Sequence, residues 1–80
     1  MIEFDNKYVG ETIRTLRMEK GLSQEVLSGL TGMARSHLSM IETGTKKANF
    51  ETIWRIANAL GIAPSELVHQ IELRSSITEQ

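Results

Sequence analysis

Apolar residues return at intervals of three and four along most of the chain, and nowhere do they alternate with period two for long enough to make a strand. The first helical stretch runs from about Lys7 to Lys20, with Val9, Ile13, Leu16 and Arg17 on one face and Gly21 as its stop. Ser23 then suits an N-cap for a short helix, Gln24 to Thr31, whose predicted apolar face is Val26, Leu27 and Leu30. Gly32 ends that helix. A third spans Ala34 to Thr43, with Leu38 and Ile41 inward and Gly44 closing it.

A basic loop, Thr45 to Ala48, leads to Asn49 as the cap of a fourth helix, Phe50 to Leu60. Its stripe is Phe50, Ile53, Ala57 and Leu60, with Trp54 beside it for core or interface packing. After Gly61, Pro64 fits the first position of a fifth helix reaching about Leu73. The pattern predicts an all-α chain, a compact five-helix domain over residues 7–73. An N-terminal extension (1–6) precedes it and a frayed polar tail (74–80) follows.

Helices two and three are separated only by Gly32-Met33-Ala34. So tight a connection forces them to cross steeply, and Gly32 stands where a left-handed backbone is needed. Leu27, Met33, Leu38 and Ile41 supply the apolar corner. This is the pattern of a helix-turn-helix, whose second helix enters the major groove in DNA binders.

Composition modifies the picture in two ways. Cysteine is absent and the two histidines, His37 and His69, have no ligand spacing, so no metal or cofactor is expected. No nucleophile–base pair or glycine-rich phosphate loop points to an enzyme or a small-molecule substrate. No apolar run is long enough for a signal peptide or a membrane span, so a soluble, cytoplasmic protein is expected. The net charge of −1 is unfavourable for a nucleic-acid binder, but its distribution is not uniform. Met1 to Glu19 sums to −1, Lys20 to Asn49 to +2, and Phe50 to Gln80 to −2. The positive excess coincides with the helix-turn-helix and its following loop, although so small an excess also arises by chance.

The runs Leu22-Ser23-Gln24-Glu25, Thr31-Gly32-Met33-Ala34-Arg35-Ser36 and Leu38-Ser39-Met40-Ile41-Glu42-Thr43-Gly44 resemble the Cro/repressor-type (XRE-like) helix-turn-helix regulators of bacteria and phages. The likeness continues through Asn49 to Ile53 and Ile56 to Gly61, and covers roughly Val9 to Val68. It implies a lambda-repressor-like fold and a DNA-binding transcriptional regulator, a repressor or autoregulator. Three positions depart from the family habit: Ser28 replaces an alanine, Ala34 a capping serine or threonine, and Ala48 a proline.

The resemblance places Arg35, Ser36 and Met40 on the groove-facing side. Arginine matches the O6 and N7 acceptors of guanine, and methionine suits a thymine methyl. The alternatives are a phosphate contact for Arg35 or Ser36 and adaptable core filling for Met40. By the same resemblance Gln24 grips a phosphate at a helix N-terminus. His37, Ser39, Thr43, Lys46, Lys47 and Asn49 would contact the DNA backbone, which positions the protein without reading sequence. Arg17 and Glu42 are expected as a partly buried structural ion pair. The apolar positions of the fifth helix, Val68, Ile71 and Leu73, suggest a homodimer interface. A two-fold dimer would present recognition helices about 34 Å apart to a palindromic double-stranded operator. The competing reading is a protein-interaction module that keeps the fold without specific DNA binding.

Overall fold

The computed structural model describes residues 3–79; Met1, Ile2 and Gln80, part of the expected terminal segments, lie outside the described residues. Five helices follow one another: α1 (Asn6–Glu19), α2 (Gln24–Thr31), α3 (Arg35–Glu42), α4 (Phe50–Leu60) and α5 (Pro64–Glu79). Side-chain oxygens start three of them. Asp5 accepts from Lys7 N, Ser23 from Val26 N and Asn49 from Thr52 N, so orphan amides that water would otherwise solvate are satisfied within the chain.

The first four helices end alike. In each, an amide two or three residues past the last helical residue returns to a carbonyl five residues back: Leu22 to Arg17, Met33 to Ser28, Thr45 to Met40 and Ile62 to Ala57. The residue before each of these donors is a glycine with φ between 70° and 82°. This Schellman closure needs a left-handed residue and lets the chain reverse within three residues.

Helix α1 packs against α3 and α5, α2 against α3 and α4, and α4 against α5. Val9, Ile13, Leu27, Leu38, Ile41, Ile56, Ala57, Leu60 and Leu67 form the common core. It is wholly aliphatic. Each larger member contributes about 1.5–3 kcal/mol by leaving water, and α2 and α3, at eight residues each, depend on that burial to be helical.

The packing revises four expectations. On α2, Val26 and Leu30 are exposed, and Leu27, Ser28 and Thr31 face inward instead. The helix is wedged between α3 and α4, so the face 100° round from Val26 is the one covered. Ser28 fits there because its hydroxyl donates to the Glu25 carbonyl at 3.0 Å, while that of Thr31 donates to Leu27 and Ser28. On α4, Phe50 begins the stripe but projects past the edge of the core and is 72% exposed. Trp54 is 50% exposed, which excludes the core as its location. Finally, α5 does not stop near Leu73. Helix α5 continues to Glu79 because its last turns lie along α1: Ser75 is buried, Arg74 Nη2 donates to Thr15 Oγ1 at 3.0 Å, and Arg74 Nη1 lies 3.7 Å from Glu11.

Candidate nucleic-acid interface

The turn between α2 and α3 is closed by Gly32 (φ 74°, ψ 20°), with Gly32 N donating to Gly29 O and Met33 N to Ser28 O. Met33 folds back onto the core. Ala34 is extended and offers α3 its carbonyl, which accepts from His37 N and Leu38 N. It has no side-chain cap bond, as expected where a hydroxyl is missing.

Helix α3 is divided along its length. Leu38, Ile41 and Glu42 are buried, whereas Arg35, Ser36, Met40 and the following Thr43 are exposed. Ser36, Met40 and Thr43 are spaced by four and three and therefore share one outward stripe. Ser39 and His37 flank it on either side and are half-buried. His37 lines a polar cleft with Glu51, Thr52 and Arg55 of α4, off the centre of the stripe. Met40 is 45% exposed, so it is not filling the core.

Past α3, the Met40 carbonyl gathers four donors: the amides of Thr45 and Lys46 and the hydroxyls of Thr43 and Thr45. That focus curls the loop tightly and leaves Lys46 and Lys47 exposed beside the outward stripe. The Asn49 side-chain oxygen is occupied in capping α4 at 2.8 Å from Thr52 N. Its amide nitrogen faces no protein acceptor within the hydrogen bonds of the described residues.

Two devices hold this helix against the rest of the domain. One is a buried charge cluster. Arg17 Nε lies 2.7 Å from Glu42 Oε2 and Arg17 Nη2 3.0 Å from Glu42 Oε1, a two-pronged pair with side chains only 11% and 2% exposed. Arg17 Nη1 donates to Leu22 O, and Gln24 Nε2 donates to Glu42 Oε1 at 3.0 Å. The side chain of Gln24 is thus turned towards α3 and spends one amide hydrogen on Glu42.

The other device was not identified from the pattern. Gly10, in mid-helix on α1, lies so close to α3 that a Cβ there would overlap the carbonyl oxygens of Ile41 and Glu42. A glycine inside an otherwise good helix is the available signal, since it costs about 1 kcal/mol against alanine unless the packing requires it.

The residues expected at a dimer surface do not stay together. Val68 and Ile71 line an apolar groove with Phe4, Ala48, Phe50 and Ile53, and Trp54 adjoins it. Phe50 and Trp54 pack ring to ring, with centroids 6.0 Å apart. Leu73 lies elsewhere, in a groove between α1 and α5 with Thr12, Leu16 and Ile77. Among the described residues there is no cluster of His, Asp and Glu able to hold a metal ion, and no helix is long and apolar enough to cross a membrane.

The chain is similar to known proteins over most of its length. A family model described as helix-turn-helix matches residues 13–67. An uncharacterized HTH-type transcriptional regulator of Sinorhizobium fredii, y4dJ, is 39% identical over 62 residues, covering 78% of this chain and 80% of that protein. The control protein C.BamHI of Bacillus amyloliquefaciens is 35% identical over 60 residues, 74% of each chain. Among solved structures, the restriction-modification controller protein C.AhdI from Aeromonas hydrophila superposes with a TM-score of 0.75 at 40% identity, over 78% of this chain and 94% of that one. With the tight Gly32 turn, the half-buried α3 and a family match running from α1 into α5, this chain belongs to the helix-turn-helix family.

Proposed function

We propose that this protein is a sequence-specific, double-stranded-DNA-binding transcriptional regulator that acts in the bacterial cytoplasm as a homodimer. The observation that carries this reading is the outward stripe of α3. A helix clamped on one side by the core and the Glu42 cluster presents Ser36, Met40 and Thr43 to solvent, with Arg35 at its exposed start. Rigid presentation of a short helix beyond the protein surface is what insertion into a groove about 12 Å wide requires.

In this reading Arg35, Ser36 and Met40 meet base edges. His37, Ser39, Thr43, Lys46, Lys47 and Asn49 meet the sugar-phosphate backbone, as do the free amides at the start of α2. The low net charge supports a dimer physically. One subunit has few cations with which to neutralise phosphates, and a second doubles them without adding new contact types. Val68 and Ile71, together with Phe50 and Trp54, supply the apolar face for that partner. Leu73 does not share this face, so we leave it out of the interface. The relatives named as control and controller proteins support a regulatory role.

Selection of bound sequences from a random DNA library tests the reading. Enrichment of a palindrome, with binding that weakens steeply as salt rises, is the expected result. Uniform recovery of all sequences would overturn it and favour a protein-interaction module that keeps only the fold.

A further inference from the structure

We infer that Gln24 is a positioning residue: through Glu42 it fixes the recognition helix α3 against α1 and α2, rather than gripping a phosphate with its side chain. The inference rests on the DNA-reading role proposed above and concerns how α3 is held in place for it. Glu42 is the last residue of α3, and its carboxylate is the point at which three separate segments meet. Arg17 brings α1, Gln24 brings the start of α2, and Leu22, bound by the same arginine, brings the turn between them.

A carboxylate that is 2% exposed must find all its donors inside the protein. The arginine fork fills one direction on each oxygen, and among the described residues the Gln24 amide is the one further side-chain donor, on Oε1. Without that amide Oε1 is left one donor short in a site water scarcely reaches, and the helix end shifts to recover one. Gln24 itself has little freedom to do otherwise. The Ser23 cap on Val26 N sets the start of α2, and with it the origin of the Gln24 side chain. Met40 and Thr43 lie within one turn of Glu42, and a shift of a fraction of an ångström there is enough to degrade a base contact.

Two measurements test the inference, one of them without DNA. In Gln24→Met, which keeps length but has no donor, backbone amide resonances and hydrogen exchange of Ile41 to Gly44 should change as well as those of α2. Amides of α3 that stay as in the wild type would overturn the inference, whatever the protein does with DNA. On the site obtained by selection, Gln24→Met should lose discrimination between single-base variants under α3 by about tenfold. The penalty for an uncharged methylphosphonate opposite the start of α2 should persist. Uniform loss of affinity with discrimination intact, and loss of that methylphosphonate penalty, would assign the side chain to the phosphate instead. Gln24→Asn, an amide one methylene too short to reach Glu42, gives the same readouts should Gln24→Met fail to fold. If no sequence is enriched for the wild type, the DNA-reading role falls, and the amide measurement still decides whether Gln24 positions α3.

Discussion

Gly10 of α1 lies against the carbonyl oxygen of Ile41, close enough that no side chain fits between the two backbones. The contact sets the depth at which the C-terminal end of α3 sits on the domain. Arg17, two turns further along α1, fixes its lateral position through Glu42. Helix α1 is therefore a rail under the recognition helix, although none of its residues lies on the outward stripe.

The rail gives a paired prediction of opposite sign. Gly10→Ala should destabilise the domain by about 1–3 kcal/mol, because two backbones must separate, despite alanine's better helix propensity. Gly29→Ala, in open space on α2 and not at a positive φ, should stabilise it by about 0.5–1 kcal/mol. Denaturant unfolding of the two variants checks both, and equal signs would contradict the close approach.

Ala34 holds cap geometry (φ −68°, ψ 145°) without a cap bond. Ala34→Ser should add a hydroxyl acceptor for a first-turn amide of α3 and raise stability by about 1 kcal/mol. In a domain of this size that is an increase of about 4–8 °C in the thermal midpoint. No rise would mean that the turn at Gly32 holds the Ala34 side chain away from the helix axis.

Arg35 and Lys46 are both exposed cations but sit on different parts of the surface, helix start and loop. Arg35→Ala should relax preference at one base pair, at a cost of about 1–3 kcal/mol on the preferred site. Lys46→Ala should weaken all sites alike and lower the slope of log K against log salt by about one. Titrations of matched and single-mismatch duplexes at several salt concentrations separate the two. Identical behaviour would remove the division between reading and anchoring.

Trp54 is the single tryptophan and is half exposed beside Phe50 and Val68. If a second subunit covers that face, Trp54 emission should shift to the blue as protein concentration rises through the dimer transition. Val68→Lys should abolish the shift, since a buried unpaired ammonium opposes association. Leu73→Lys, on the other groove, should leave it intact. Association seen by sedimentation with no shift in Trp54 emission, and lost only in Leu73→Lys, would place the interface between α1 and α5.

The order of α1 to α4, and their ends to within one residue, were legible in the chain because they depend on local chemistry. A capping Ser or Asn and a left-handed glycine act within five residues, and Ser23, Gly32, Asn49 and Gly61 fall where the pattern places them. The helix-turn-helix was legible for the same reason, as a short spacing between two such ends. Which face of α2 is buried was not legible, since Val26 and Leu30 satisfy the same period as Leu27 and Thr31, and only contact with α3 and α4 chooses between them. The length of α5 was hidden for a related reason. Polar residues such as Arg74 and Ser75 carry no hydrophobic signal, and they are helical because α1 lies alongside them. Gly10 against Ile41 and Gln24 on Glu42 join residues 31 and 18 positions apart. Such pairings are decided by tertiary packing, because local propensity acts over a few residues and cannot specify which distant backbone or carboxylate will arrive.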